Sequence, residues 1–346
     1  TKSALVPFHF WLPGAMAATT PVSAYLHAAA MVKAGVYLVA RLAPGYASVP
    51  AWKWVVIVLG GATMILGGYR ALRQHDLKLL LAFGTVSQLG FLIVLVGYGN
   101  QTLALAGLAL IDAHAMFKAA LFLTVGAIDA AAGTRDLRKL SGLGKHLPQA
   151  TIPAVLAVAS MVGLPPTAGF VGKEAVFEGL LATTDPYRYL VVAALILGSI
   201  LTFAYGMRFL WGAFATKGQH TSLVKEHPGL FVSPNVLAIG GVVAGVVPWV
   251  GQTLLSPYAH TYPQGSPGVL TLWGGITPAL GITVAIVLAG LGLFAARTPV
   301  YRWQKAVSKV PDTDSAYRHL MRRLDRVSVA ITARTQRGSL PLYLAL

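Results

Sequence analysis

No cysteine occurs anywhere in the sequence, which excludes disulfides, thiolate metal sites and iron–sulfur clusters held by this chain. Charge is scarce as well. Asp, Glu, Lys and Arg together make up 11% of the 346 residues, and the acidic kind is the scarcer, 11 against 27 basic residues. No nucleotide-binding loop, nucleophile constellation or cluster of metal ligands is visible, so the residues offer no basis for catalysis, a cofactor or a bound metal. The formal net charge of +16 points to nucleic acid only at first sight. The basic residues are not interleaved with aromatics on a polar domain. They lie in short loops between apolar runs, and most densely after Arg297, which is the pattern of a membrane protein and not of a phosphate-binding surface.

Apolar length is what the sequence has in abundance: 55% of residues are hydrophobic and the mean hydropathy is +0.66. Runs long enough to cross a bilayer fall at 21–42, 54–69, 77–98, 102–128, 150–182, 188–215, 234–256 and 269–296, preceded by a shorter run from Ala4 to Met16 that Pro7 and Pro13 interrupt. The loops between them alternate in charge. Arg70, Arg73 and Lys78 mark one loop, and the next, near 97–101, has no charge. Arg135, Arg138, Lys139 and Lys145 mark the third, followed by a loop with Arg188 against Asp185. Lys217 and Lys225 mark the fifth, and the loop near 257–268 again has none. Every second loop is positive, so these loops are expected in the cytoplasm of a bacterial cell, with Arg41 and Lys53 as exceptions on the opposite side. Trp52 and Trp54, beside Lys53, read as part of an interfacial belt.

From Asp312 to Arg334 the pattern changes. Ala316, Leu320, Leu324, Val327 and Ile331 recur at intervals of three and four, while Arg318, Arg322, Arg323 and Arg326 take other faces. This is an amphipathic helix along the membrane surface or against neighbouring subunits; a solvated connector is the bland alternative. Thr1 is not an initiator residue, and GSLPLYLAL ends just as a new apolar segment begins, so an internal piece of a longer polypeptide is expected.

Several charges sit inside the apolar runs: Lys2, His27, Lys33, Lys78, Asp112, His114, Lys118, Asp129, Lys173, Glu174 and Glu178. His114 and Lys118 are four residues apart and share a helix face. A charged Lys at mid-membrane costs about 2.5–3.5 kcal/mol, so it faces a partner or a wet cavity. One such lysine can also snorkel to the headgroups beside a histidine satisfied within a bundle. Repetition through successive runs favours a proton relay, because a desolvated Lys can exchange a proton with a neighbouring His, Glu or Lys. Asp129, Glu178 and Lys78 lie close to helix ends, where an interfacial charge is an equally good reading. Lys2 and Lys173 adjoin helix-breaking sequence, Pro7 with Pro13 and the stretch GLPPTAGFVGK at 163–173. Broken helices at membrane depth mark ion sites in transporters, although a plain re-entrant turn is the alternative.

The stretches KSALVPFHFWLPGAM (2–16), PVSAYLHAAAMVKAGVYLVARL (21–42), DLKLLLAFGTVSQLGF (76–91), HAMFKAALFL (114–123), GTRDLRKLSGL (133–143) and GLPPTAGFVGKE (163–174) run in collinear order through most of the chain. They resemble the antiporter-like subunits shared between Mrp-type multisubunit sodium/proton antiporters and the membrane arm of respiratory complex I. AHAMFKAALFLTVGAID, FVSPNVLAI at 231–239, LWGG at 272–275 and GSLPLYL at 338–344 look most like the large A subunits of the Mrp group. The long-chain complex I subunits are the runner-up.

The resemblance implies an all-α polytopic membrane fold of inverted five-helix repeats, each with one discontinuous helix, plus an amphipathic surface helix. Residues 1–53 are then the end of the first repeat and 54–215 the second. Residues 216–310 form additional transmembrane helices, 311–337 the lateral helix and 338–346 the start of another span. The family's relay falls on Lys2, His27, Lys78, His114, Lys118 and Lys173, to which the reading of embedded charges adds Lys33, with Asp112 and Glu174 as charge partners. No cofactor and no metal are implied. The implied partners are other antiporter subunits and the lipid bilayer, with H+ and Na+ as transported ions. Proton pumping within an NADH:quinone oxidoreductase is the alternative activity, and a structural anchor with relict charges a third reading. Leu5, Thr19 and Ala130 depart from the family's usual Gln, Pro and His. The Ala130 departure removes a polar stepping stone at the helix end. The family also supplies a glutamate to the lysine at Lys2 from a helix before Thr1, so this piece alone is not expected to transport.

Overall fold

The computed structural model describes residues 1–218, 221, 228–306 and 313–335. Lys225, Asp312 and the apolar segment at 338–346 lie outside the described residues. Twelve helices organise the described residues. They are α1 (Thr20–Tyr46), α2 (Pro50–Ala71), α3 (Leu77–Gly97), α4 (Gln101–Ala132), α5 (Pro148–Val162), α6 (Ala168–Ala182), α7 (Arg188–Phe214), α8 (Val232–Val246), α9 (Pro248–Ala259), α10 (Pro278–Ala295), α11 (Arg297–Ala306) and α12 (Thr313–Thr335). A short turn of helix at Trp11–Gly14 precedes α1, and another at Leu143–His146 lies between α4 and α5. Seven spans among the described residues are long and apolar enough to cross a membrane.

Local sequence sets most of the boundaries. The carboxylate of Asp76 accepts from the amides of Lys78 and Leu79 and caps α3, and Asn100 caps α4 in the same way through Thr102 and Leu103. The run 150–182 is split into α5 and α6, as the proline-glycine stretch predicts. Gly163 ends α5 in a left-handed conformation (φ 84°), and Thr167 caps α6. Two further runs differ from their reading as single spans. The run 234–256 divides at Val247, because Pro248 lacks the amide needed to continue α8 and instead starts α9. The run 269–296 becomes helical only at Pro278, after Trp273, Gly274 and Gly275; Thr277 caps that helix.

The interior is built on α3 and α4. Nearly every residue of α3 is buried, since α1, α2, α4 and α7 all pack on it. Against α2 the two backbones come very close. A Cβ added at Gly90 would lie 2.5 Å from the Gly60 carbonyl oxygen, and one at Gly67 would lie 2.5 Å from the Ser87 nitrogen. Small residues at such a seam let membrane helices approach through their backbones. α5, α6, α8 and α9 surround α4, and α10 packs on α7 with only a minority of its own surface buried.

Polar contacts tie the loops. On the basic side, the Leu77 amide donates to the Arg135 carbonyl and Leu137 to that of His75. Asp136 accepts from Nε and Nη2 of Arg138, whose guanidinium holds this carboxyl down at about 2. At the opposite ends, the buried Tyr262 hydroxyl donates toward the carbonyls of Ala40 and Val96. Lys53, an exception to the charge alternation, pairs with Asp185 and sits 5.0 Å from the centre of the Tyr98 ring. Its charge is therefore matched within the fold.

The segment from Lys305 onward forms a second compact unit. Within it α12 is a helix of 23 residues with Leu320, Leu324, Val327 and Ile331 exposed, in accord with the periodicity read over 312–334.

Replacing Gly90 by Val drives a branched side chain into the α2 backbone. The Gly90→Val protein is expected to lose most of its folded yield in detergent, read by size-exclusion profile and thermal unfolding. Gly61→Ala meets no atom within 4 Å and is expected to match or slightly exceed wild-type stability.

Candidate functional site

The embedded charges predicted from sequence fall into linked groups on α1, α3, α4 and α6. Lys78, fully buried, lies in the first turn of α3, and its ammonium crosses to the segment before α1. There it donates to the carbonyl of Met16 at 3.0 Å and to that of Ala18. These carbonyls belong to a 3-10 turn at Ala15–Ala17 that ends there, which frees them for a side-chain donor. His27 lies nearby in charge terms, since Lys78 acts on it electrostatically. Its ring sits 6.4 Å from that of Trp11 and 5.9 Å from Phe122 of α4. The backbone around it, Tyr25–Ala29, is a π-helical turn inside α1, a distortion found often at functional sites.

Lys118 and His114 occupy the middle of α4 and are both buried, on the shared face that their spacing predicts. The Lys118 ammonium lies 3.3 Å from the Leu81 carbonyl of α3 and 5.8 Å from the centre of the Tyr205 ring of α7. Gly84 makes room for it: a Cβ there would lie 3.1 Å from the ammonium. Tyr205 belongs to a polar group in which Gln88 donates to the hydroxyls of Thr202 (3.1 Å) and Tyr205 (3.4 Å). Lys33 and Lys118 both act on His114 through their charges. Neither ring nitrogen of His114, nor Nδ1 of His27, has a protein hydrogen-bond partner among the described residues.

Lys33 reaches α4 from α1 and donates to the Ile111 carbonyl at 2.8 Å. Asp112, the next residue, attracts Lys33 without closing an ion pair within 4 Å among the described residues. It lies on the exposed side of α4 and is the carboxylate in an otherwise apolar cavity of about 390 Å³ between α4, α6, α8 and α9.

Lys173 is on the second half of the broken helix. Its ammonium donates to the carbonyls of Met161 and Val162 at 3.0 Å each, the last carbonyls of α5, so a cation sits at a helix C-terminus where the dipole favours it. The Phe91 ring centre lies 5.9 Å away. Glu174, beside it, is held by two hydroxyls: Thr277 donates to Oε1 at 3.0 Å and Thr283 to Oε2 at 3.1 Å. Lys2 lies on an exposed turn.

Sequence reasoning missed three parts of this arrangement. The carbonyl acceptors carry no side-chain signal at all. Gln88, Thr202 and Tyr205 are polar groups within apolar runs and were findable by the criterion that picked out Lys118. The partnership of Glu174 with Thr277 and Thr283 spans more than a hundred residues and depends on where α10 packs.

Successive helices α2, α3, α4 and α7, long and apolar enough to cross a membrane, with the interrupted pair α5–α6 among them and lysines buried in α3, α4 and α6, define a polytopic membrane protein of the antiporter-like class. The family model described as "NADH:quinone oxidoreductase/Mrp antiporter, TM" matches residues 1–202, and the chain belongs to that family. The A subunit of the Na(+)/H(+) antiporter of Alkalihalophilus pseudofirmus is 37% identical over 91% of this chain and 43% of its own length. Its namesake from Bacillus subtilis is 36% identical over 99% of this chain and 47% of its own. A protein of Rhizobium meliloti described as the A/B subunit of a probable K(+)/H(+) antiporter is 39% identical over 85% and 30%. The chain thus spans less than half the length of these curated relatives.

Among solved structures, the Mrp complex from Dietzia sp. DQ12-45-1b superposes with a TM-score of 0.88 at 35% identity, over 99% of this chain and 38% of that one. The archaeal membrane-bound sulfane sulfur reductase shares the fold, with a TM-score of 0.79 at 22% identity over 99% of this chain and 64% of that one. The likeness to the large Mrp subunits read from the motifs is borne out.

Gly163 serves the site twice, through its positive φ and through its contact with Lys173. A Cβ at Gly163 would lie 2.7 Å from Lys173 Cδ. Gly163→Ala is expected to destabilise the protein by about 1–3 kcal/mol, measured as a lowered unfolding midpoint of the purified protein in detergent.

Proposed function

We propose that this chain is a proton-translocating part of a multisubunit cation/proton antiporter, Na+ being the exchanged cation, and that it works within a hetero-oligomeric membrane complex. The relay runs through Lys78 and His27, and through Lys118, His114 and Lys33; Lys173 stands at the broken helix and Lys2 belongs to the preceding repeat. One observation carries this reading: the buried His114 feels the charges of both Lys33 and Lys118, while those lysines are held by backbone carbonyls and not by carboxylates. A lysine held that way can give up its proton without leaving a buried carboxylate unpaired.

The magnitudes are compatible with coupling. Two unit charges 4 Å apart interact by about 4 kcal/mol at an effective dielectric of 20. Moving one charge through 100 mV is worth about 2.3 kcal/mol. A change of charge at Lys33 or Lys118 is in this scheme felt at His114, on which both act, and one at Lys78 is felt at His27. Asp112 in this scheme modulates Lys33, and Glu174 accepts from the two threonine hydroxyls while adjoining Lys173.

The same relay driven by quinone chemistry in a respiratory complex is the second reading, favoured by the family description that covers both systems. Proton flux in inverted vesicles bearing the full-length protein with its partner subunits separates the two. A sodium-driven flux at least tenfold lower in Lys118→Ala, and normal in Lys139→Ala, is the expected result. The same assay with potassium reads the cation preference. Flux that requires NADH supports the respiratory reading. Unchanged flux in a normally assembled Lys118→Ala complex overturns the relay and leaves a structural anchor.

On their charge, this proposal assigns the basic loops to the cytoplasm. The chain lacks cysteine, so single cysteines at Lys139→Cys and Thr261→Cys report sidedness directly. An impermeant maleimide is expected to label the first from the cytoplasmic side and the second from the other.

A further inference from the structure

A second large cavity, of about 520 Å³, opens where α7 and α10 end. Its wall carries Arg138, Arg208, Lys217 and Arg297 together with His75, over a floor of Trp211 and Phe294. Of these cations Arg138 is matched, by Asp136. Among the described residues none of the other three has an ion-pair partner.

Their donors are only partly used. Arg208 gives Nε and Nη2 to the Gln74 carbonyl at 3.2 and 2.9 Å, and Nη2 also lies 3.3 Å from His75 Nδ1. Lys217 donates to the carbonyls of Leu137 and Gly212. The Arg297 guanidinium lies over two rings, 5.6 Å from the centre of Trp211 and 5.0 Å from that of Phe294, which leaves its N–H edge available to an acceptor. Burial lowers the proton affinity of His75, and the charges of Arg208 and Arg138 lower it further against the opposing charge of Asp136.

Asp136 acts on Lys217 through its charge as well as pairing Arg138. Among the described residues, however, Arg208, Lys217 and Arg297 lack an ion-pair partner. Cations gathered in one cavity repel one another and are stabilised by an anion that takes charge-assisted hydrogen bonds from them. The depth of the cavity and its floor narrow the choice of anion. It lies at the ends of two membrane-crossing helices, with an indole in its floor, which is the level of lipid headgroups. A much smaller crevice of about 20 Å³ beside Leu72, Ala204 and Leu293 shares Arg208, Phe294 and Arg297 with it. Basic pockets between transmembrane helices of this type take phosphate headgroups.

We propose that this cavity binds a phosphate group, carried by an anionic phospholipid of the surrounding leaflet or free in solution. The site is independent of which ions the chain moves.

The test is thermal unfolding of the full-length protein in its complex, in detergent. Titrations with phosphatidylglycerol, with phosphatidylcholine and with inorganic phosphate are compared. Phosphatidylglycerol is expected to raise the midpoint saturably, and Arg297→Gln to raise the half-saturating concentration about tenfold, the loss of one charged hydrogen bond. Arg297 is exposed, so its replacement leaves folding intact. Arg297→Lys is expected to recover part of the effect, and Arg302→Gln, outside the cavity, to behave as wild type. Stabilisation by phosphatidylglycerol and not by inorganic phosphate assigns the site to a headgroup; stabilisation by both assigns it to phosphate itself. Equal stabilisation by phosphatidylcholine, an Arg297→Gln titration like wild type, or the same loss in Arg302→Gln overturns the proposal.

Discussion

The contact on which this structure turns is an ammonium group held by a backbone carbonyl inside an apolar helix bundle. Lys33, Lys78, Lys118 and Lys173 all make it. A buried ion is costly, and a carboxylate partner repays the cost only with good geometry while adding a second ion to desolvate. Carbonyl dipoles give part of the compensation without that second ion. At Lys78 and Lys173 the carbonyls are free because a helix ends there, so the breaks in the chain and the buried cations are two parts of one device. At Lys33 and Lys118 the acceptors, Ile111 and Leu81, are inside α4 and α3, and the contact is the longer one at Lys118.

Packing makes that device possible. The glycine seam between α2 and α3 brings two backbones together and leaves the remaining faces of α3 to α1, α4 and α7. α4 then carries His114 and Lys118 between α3 on one side and the broken pair α5–α6 on another. Side chains from four segments thus meet around one helix, and the charges of Lys33 and Lys118 converge on His114.

The acidic groups are disposed differently from the lysines. Asp185 takes Lys53, Asp136 takes Arg138, and Glu174 is satisfied by two threonine hydroxyls. Acids are few in this chain, and those three are each engaged by a defined partner. The cations at the core and those around the cavity by Arg297 are left to carbonyls, rings and each other. That imbalance gives the protein buried basic groups with little local neutralisation.

Much of this was legible in the residues themselves. Periodicity and length placed the helices α1 to α4 and α7 within a few residues, because a membrane span needs about twenty apolar residues whatever surrounds it. Prolines and glycines at 163–169 announced the break between α5 and α6, and the embedded lysines and histidines announced themselves by their cost. The collinear motifs named the family. Only the tertiary structure decided which partner each charge takes: carbonyls for the lysines, threonines for Glu174, Asp185 for Lys53. The division at Pro248 and the late start of α10 were missed, since hydropathy counts apolar residues and is blind to backbone amides. Insertion cost is a property of a residue in its own segment and can be read locally. A partner is a property of how segments meet, and carbonyl acceptors, identical at every residue, leave no trace in the sequence.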